Sequence, residues 1–344
     1  MTREIEQEAG FYGLSEEVKR VIFESFRVDQ LHSWQEETLN RHVNEGNCSK
    51  NALLLAPTSG GKTLVAVVLL VRMMLIDKKD TLLILPYVAL VAEKVKELTT
   101  LATKLKLFTV QEYAGVKGWF PIPKQKVSLR TLYISTPEKA TGIWNHLCKE
   151  GTRREEIGLT VFDEIHMISE GGRGSVIEQL VVSIMHQSSP SSRIFALSAT
   201  VGNASDLRVF LGRGQADGCD LYQAARRPIA IKEHLVVSGG AIPVLRNDGD
   251  GRGILGSPDQ KHNILEDDDW VSRDDLTMFD TYFDREIAKL AMDSMRRKQS
   301  VLIFCNTRNN CVSLCRTLTA SYKECPWYVH DTNDFWPRCF PLSP

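Results

Sequence analysis

Short apolar runs alternate with longer amphipathic ones along most of the chain. NALLLAP (51–57), TLLILP (81–86), TLYIST (131–136), LTVFDE (159–164), RIFALSAT (193–200) and SVLIFCN (300–306) are almost continuously apolar. Runs of that kind, without strict alternation, are what strands buried on both faces of a sheet require. Between most of them lie stretches with helical spacing. TLVAVVLLVRMMLI (63–76) is apolar all round, and YVALVAEKVKELTTLATKL (87–105) is apolar on one face. Ahead of the first strand, LSEEVKRVIFESF (14–26) predicts a helix with Ser15 as its N-cap, and HSWQEETLNRHV (32–43) predicts a second short helix. Strand and helix in regular alternation predict an α/β fold with a parallel sheet covered on both sides. In such sheets ligands bind beyond the carboxyl ends of the strands.

The rhythm breaks at 239–270, GGAIPVLRNDGDGRGILGSPDQKHNILEDDDW, which is rich in Gly and Asp and is expected to be an exposed loop or disordered insert. A charged helix, DREIAKLAMDSMRRK (284–298), then leads into the last apolar run. The expected organisation is a helical lead-in over 1–30 and a first α/β domain over 31–225. A linker, the insert and the start of a second α/β domain follow over 226–320. The tail, 321–344, fits neither helix nor strand.

Composition narrows the class. With 43% hydrophobic and 25% charged residues in 344, the chain has the make-up of a globular protein of about two domains. The opening MTREIEQEAG has no apolar core of a signal peptide, and the apolar run 64–76 is interrupted by Arg72, so no membrane span is expected. Eight cysteines without framework spacing point to a reduced, intracellular setting. A net charge of −1 excludes an overall cationic coat and leaves room for a local basic groove.

Candidate chemistry sits at the strand ends. Ala56-Pro57-Thr58-Ser59-Gly60-Gly61-Lys62-Thr63 is a P-loop pattern with Ala56 in place of the usual first glycine. Small residues there let backbone N–H groups turn toward phosphate oxygens. Lys62 would reach the β- and γ-phosphates, and Thr63 would hold Mg²⁺. A Gly-rich strand-to-helix turn holding nothing is the alternative. The run Asp163-Glu164-Ile165-His166, closing another apolar strand, decides against it. An aspartate to hold Mg²⁺ beside a glutamate to act as general base is the division of labour that nucleoside triphosphate hydrolysis needs. His166 has no second ligand at metal spacing and reads as a hydrogen-bonded strand-end residue. Cys305, Cys311, Cys315, Cys325 and Cys339 with His330 lack C-x-x-C spacing, and Cys305 and Cys311 read as core cysteines.

APTSGGKT, DEIH and SAT (Ser198-Ala199-Thr200), in that order, resemble motifs I, II and III of superfamily 2 helicases, with a DEAH-type box. LPYVALVAEK resembles motif Ia, STPEK (135–139) motif Ib, and VLIFCNTRNNC motif IV. FYGL, EYAGVKGWFP and GGRGSVIEQL make the chain similar to the HELQ and polymerase-theta helicase group. The resemblance implies a RecA-like P-loop motor domain followed by an incomplete second RecA-like domain. It implies an ATP- and Mg²⁺-dependent 3′–5′ helicase or translocase on single-stranded or forked DNA, serving repair in the nucleus. By the same resemblance Gln35 contacts adenine, and Pro86, Tyr87, Thr136 and Pro137 lie in segments that touch the DNA backbone. His166, Ser198, Ala199 and Thr200 couple nucleotide state to strand grip. No segment resembling motif V or VI is found, so the expectation is a shortened form. Two alternatives stay open: a catalytically inactive ATP- or DNA-binding module with a regulatory role, and an RNA helicase.

Overall fold

The computed structural model describes residues 10–44, 50–57, 60–118, 120, 122, 129–149, 155–187, 192–199, 203–224, 234–237, 240–246, 253–255 and 282–323. The chain divides into two compact units, Met1–Ala230 and Ile231–Pro344.

The first unit is built on a sheet of seven strands: β1 (Asn51–Leu55), β2 (Asp80–Ile84), β3 (Phe108–Tyr113), β4 (Arg130–Ser135), β5 (Ile157–Phe162), β6 (Arg193–Ser198) and β7 (Cys219–Gln223). Their order across the sheet is β3-β4-β2-β5-β6-β1-β7. Every pairing is parallel. The apolar runs between 51 and 200 form the five inner strands. The edge strands FTVQEY (β3) and CDLYQ (β7) escaped the sequence reading. An edge strand meets solvent along one side, and these two carry polar residues where inner strands carry Leu and Ile.

Helices cover both faces. α1 (Glu16–Phe26), α3 (Lys62–Leu75) and α4 (Val88–Leu105) pack on one side, against Leu54, Leu83, Ile134, Val161 and Phe195. α5 (Pro137–Lys149), α6 (Arg173–Gln187) and α7 (Ala204–Leu211) pack on the other, against Leu53, Leu82, Tyr133, Phe162 and Ala196. Neighbouring residues such as Leu53 and Leu54 thus serve opposite cores, which is why the inner strands read as unbroken apolar runs. α3 is apolar all round because it is buried nearly all round, from Leu64 through Val71. The two-face rule slips once. Ile157 and Leu159 share a parity yet face different cores, because the register between β2 and β5 shifts beside Gly158. A Cβ at Gly158 would come within 2.4 Å of the Met73 sulfur, so the irregularity needs glycine.

α1 begins as expected, with the Ser15 hydroxyl accepting a hydrogen bond from the Val18 N–H at 3.3 Å. The second predicted helix is α2 (Ser33–Leu39), which widens into a π turn over Asn40–Asn44. That turn carries His42 inward, with its Nδ1 3.2 Å from the Tyr222 hydroxyl and its ring edge-on to Phe195.

The second unit differs from expectation in three places. Residues 240–246, read as loop, form a strand. β9 (Gly240–Arg246) pairs antiparallel with β8 (His234–Val237) on one side and β10 (Gly253–Leu255) on the other. The sequence carried a signal for this, since Val237 faces Gly240 across a two-residue Ser-Gly connection of hairpin length. Residues 256–270 of the expected insert, and the tail from 324, lie outside the described residues. The predicted strand at 300–306 does not form a ladder among the described residues, and Leu302 and Phe304 stand exposed at 78% and 87%. α8 (Tyr282–Arg296) and α9 (Arg308–Lys323) flank it. On α9, Leu314 and Leu318 pack toward Ala288, while Cys311 and Cys315 are exposed and Cys305 is half-buried. Cys311 is therefore not the core residue expected, because the apolar side of this helix is the adjacent one.

Burial, reinforced by the positive charge of Arg72, pushes the His42 pKa down to about 4. The folded chain holds the imidazole neutral, whereas the unfolded chain protonates it near 6.5. Stability therefore falls as pH drops below 6.5, and the loss is complete below 4. Between pH 7 and pH 5 the expected loss from this group is about 2 kcal/mol. Urea unfolding at the two pH values should show His42→Phe losing that much less than the unsubstituted chain. Equal losses would refute the assignment.

Candidate functional site

The motif residues lie immediately beyond the strand ends, and hydrogen bonds continue the sheet through them. The Ala56 N–H donates to the Ser198 carbonyl (3.2 Å), and the Asp163 N–H to the Ile84 carbonyl (2.9 Å). The Leu85 N–H donates to the Ser135 carbonyl (2.9 Å), and the Thr136 N–H to the Tyr113 carbonyl (3.2 Å). Each motif is thereby held in register with its neighbour. The resulting carboxyl edge has two parts that meet at β5.

One part, over β1, β5 and β6, suits a nucleotide. Gly61 opens α3 at φ +87°, and a Cβ there would lie 2.6 Å from the Gln35 side-chain nitrogen, so only glycine fits on both counts. At Gly60 a Cβ would lie 2.8 Å from the Pro57 carbonyl oxygen. Lys62 is buried and turned back on the loop, donating to the carbonyls of Ala56 (2.9 Å) and Pro57 (3.4 Å). Thr63 lines a cleft of about 460 Å³ with Gly61, Gln35, Lys94 and the segment from Phe26 to His32. The segment from Phe26 to His32 forms no motif and reaches the cleft only through packing, and Lys94, the last residue of the LPYVALVAEK run, was given no role in the sequence. Thr58 and Ser59 lie outside the described residues.

Gln35 is 2% exposed and bonded at both ends. Its Oε1 accepts from the His32 N–H at 2.7 Å, and its Nε2 donates to the Gly61 carbonyl at 2.9 Å. The amide expected to contact adenine therefore joins α2 to the phosphate loop, with one donor and one acceptor site to spare.

Asp163 and Glu164 close β5 on the same edge. Burial pushes the Asp163 carboxyl up to about 6, and the neighbouring Glu164 charge adds to it. The Glu164 N–H, Lys62 and Lys94 oppose that rise. Glu164 sits in the left-handed region (φ 52°), a conformation that costs a non-glycine residue about 1 kcal/mol or more. Its Oε2 lies 3.3 Å from His166 Nδ1, yet it accepts no hydrogen bond among the described residues. His166 Nδ1 lies within hydrogen-bond distance of the Ser198 hydroxyl instead, at 3.1 Å. The structure thus brings the second and third motifs together through one imidazole. Ala199 is half-buried beside them, and Thr200 lies outside the described residues.

The donor set fits a magnesium nucleotide. Two glycines keep open a loop that a Cβ would fill, and the Asp163 carboxyl is crowded by burial and by a second carboxylate, a state that a cation relieves.

The other part of the edge lies over β4, β2 and β5. Of the four residues expected near DNA, Pro86, Thr136 and Pro137 are buried, and only Tyr87 is exposed, at 51%. Pro137 is the first residue of α5, as expected for a proline at a helix start. Arg173, in the GGRGS run but assigned no role by the sequence, lies among these segments. Its Nη1 donates to the Pro86 carbonyl at 2.9 Å, its Nε donates to Glu138 Oε1 at 3.0 Å, and its guanidinium stands 5.4 Å from the Tyr87 ring centre.

Comparison with known proteins agrees with this arrangement. The family described as DEAD/DEAH box helicase matches residues 33–207, from α2 through the third motif. The chain belongs to the DEAD/DEAH box helicase family. Over 228 residues it is 40% identical to the human Helicase POLQ-like, a match covering 66% of this chain and 20% of that protein. It is 30% identical over 292 residues to DNA polymerase theta of Drosophila melanogaster, covering 83% of this chain and 13% of that one. It is 30% identical over 201 residues to ATP-dependent DNA helicase Hel308 of Thermococcus kodakarensis, covering 58% and 16%. The chain therefore spans about a fifth or less of the length of these relatives. Among solved structures, the DUF1998 helicase MrfA bound to DNA superposes with a TM-score of 0.60 at 17% identity, covering 93% of this chain and 40% of that one. That likeness carries the fold, which is the RecA-like α/β arrangement of helicase motor domains.

The Gln35 link between α2 and the phosphate loop is testable in this helicase domain without nucleotide. Gln35→Glu keeps the acceptor for the His32 N–H but turns an acceptor toward the Gly61 carbonyl. The expected cost is about 1–3 kcal/mol in urea unfolding at neutral pH. An unchanged unfolding midpoint would show that the link contributes nothing to stability.

Proposed function

We propose that this chain carries the first motor domain of an ATP-dependent DNA helicase or translocase. The observation that carries the reading is the meeting of phosphate loop, acidic pair and third motif at one sheet edge, with His166 bridging the last two. Lys62 leaves the loop carbonyls to bind the β- and γ-phosphates, while Thr63 and Asp163 hold Mg²⁺. The metal, when bound, neutralises charge on the transferring phosphoryl group. Glu164, whose backbone is strained and whose Oε2 accepts no hydrogen bond among the described residues, orients the attacking water and accepts its proton. Gln35 reports adenine occupancy to the loop through Gly61. The names of two of the relatives, DNA polymerase theta and ATP-dependent DNA helicase Hel308, favour DNA over RNA as the track. By the same likeness, movement is 3′ to 5′ on single-stranded or forked DNA, in nuclear repair. The exposed Tyr87 beside Arg173 suits a single strand, where sequence-tolerant binding combines stacking with phosphate contacts. Residues 226–320 would begin the second motor domain.

Steady-state ATP hydrolysis by the chain, with and without single-stranded DNA, tests the reading. Turnover stimulated by DNA is expected. Glu164→Gln should lower it by about 10²- to 10⁴-fold, the usual worth of a general base, and Lys62→Ala should abolish it. Tight nucleotide binding with no turnover in either condition would overturn the motor reading and leave a nucleotide-binding module.

A further inference from the structure

We propose that Arg173 is a nucleic-acid-binding residue whose free guanidinium nitrogen takes a phosphodiester of the strand lying against Tyr87. The inference rests on the single-strand-binding reading above and adds a residue that neither the motifs nor the relatives' names assign.

The placement of Arg173 is not explained by local stability. It is the first residue of α6, where a cation meets the positive end of the helix dipole and is disfavoured. Its backbone is nevertheless fixed there. The Arg173 N–H donates to the Gly171 carbonyl and the Gly174 N–H to the Glu170 carbonyl, both at 3.0 Å. A Cβ on Gly174 would lie 2.4 Å from the Ile168 carbonyl oxygen, so the helix start is pressed against the preceding turn by a glycine-only contact. An arginine is thus set rigidly at a costly position.

Its side chain bridges two further segments. Nη1 and Nε are committed to the Pro86 carbonyl and to Glu138, which belong to the connections after β2 and β4. Burial raises the Glu138 carboxyl, but hydrogen bonds from its own backbone and from Thr136, together with the Arg173 charge, hold it below its ordinary value. Glu138 therefore stays ionised as the arginine's counter-charge. Nη2 has no protein partner among the described residues, and the Arg173 side chain is 38% exposed. Beside it stands the Tyr87 ring, about half exposed. A guanidinium tied on two nitrogens offers the third without further loss of side-chain freedom, which is the economy of a pre-organised phosphate donor. Next to it an exposed ring offers a face for a base. A single nucleotide step would meet both.

A purely structural brace makes the opposite prediction for Glu138. If Arg173 only ties loops together, removing the Glu138 charge loosens the site and weakens strand binding. If Arg173 takes a phosphate, Glu138 is the negative charge that the incoming phosphate must tolerate, and its removal strengthens binding.

The experiment is fluorescence anisotropy with a labelled oligo-dT over a range of NaCl concentrations, on the 344-residue chain and on R173Q, R173K and E138Q. R173Q should weaken binding roughly tenfold and reduce the steepness of log Kobs against log[salt] by about 0.7, the value for one lost contact to a single strand. R173K should keep the salt slope while binding more weakly, since the point charge remains and the fork is lost. E138Q should tighten binding about two- to fivefold, the scale of an exposed charge interaction. An unchanged slope in R173Q, or weaker binding by E138Q, would overturn this inference alone. Failure of the unsubstituted chain to bind the oligonucleotide at any salt would overturn the strand-binding reading on which it rests. Melting curves identify a variant that does not fold. If R173Q is such a variant, the sign of the E138Q effect decides.

Discussion

The site depends on lateral hydrogen bonding that continues past the last residue of each strand. A parallel sheet fixes the register of its strands, but loops beyond the strand ends are ordinarily free to diverge. Here the Ala56, Leu85, Thr136 and Asp163 N–H groups each donate to the last residue of a neighbouring strand, so the connections after β1 through β6 leave the sheet from a shared edge. Chemistry spread over more than a hundred residues of sequence then needs no further device to be assembled. The strand order does the sorting. β1, β5 and β6 are neighbours and carry the phosphate loop, the acidic pair and the third motif. β4, β2 and β5 are neighbours and carry the segments around Tyr87 and Arg173.

The same edge concentrates polar groups at the border of two apolar cores, and that sets its electrostatics. Ser198 and Lys62 are buried, and Asp163 is largely withdrawn from water beside a second carboxylate. Burial in such surroundings raises the cost of like charge and the worth of a cation. The outcome is a site whose charges are incompletely matched by protein alone. Lys62 is engaged with loop carbonyls, Glu164 holds an unfavourable backbone conformation, and Asp163 is pushed toward protonation. These are the residues with most to gain from a magnesium nucleotide, and differential stabilisation of that kind is what lets binding reorganise a loop.

What was legible in the sequence follows from these physical causes. The inner strands were readable because residues such as Leu53 and Leu54 face different cores and must both be apolar. The edge strands were not, because β3 and β7 are only half-buried through most of their length and carry polar residues there. Gly61 was readable as part of a motif, but its reason is spatial: the Gln35 amide occupies the room a Cβ would need. Gln35 and Arg173 mark the two limits of sequence reading. Gln35 could be matched to a motif, yet its bond to the Gly61 carbonyl is invisible without the fold. Arg173 stood in the quoted GGRGS run, but nothing in that run says that Pro86, Tyr87 and Glu138 will gather around it. The run at 301–305, which forms no ladder among the described residues, shows the converse. An apolar pattern states what a strand would bury, and a ladder needs partners as well.

β5 belongs to both halves of the edge, and the connection that follows it runs from one half to the other. After Phe162 the chain gives Asp163 and Glu164 to the phosphate side. It then makes a 3-10 turn over Ile165–Ser169 and enters α6 at Arg173 on the other side. Ile165 and Met167 anchor that turn in the core, and His166 fastens it to β6 through Ser198. The Gly174 contact with the Ile168 carbonyl then fixes where α6 begins. The path from Glu164 to Arg173 is anchored in its first half by buried Ile165 and Met167, runs exposed over Ser169–Gly172, and is fixed again where Gly174 meets the Ile168 carbonyl. The two halves of the edge are thus joined along the chain by one 3-10 turn and the exposed Glu170-Gly171-Gly172 stretch, with no long helix or distant loop between the acidic pair and the guanidinium.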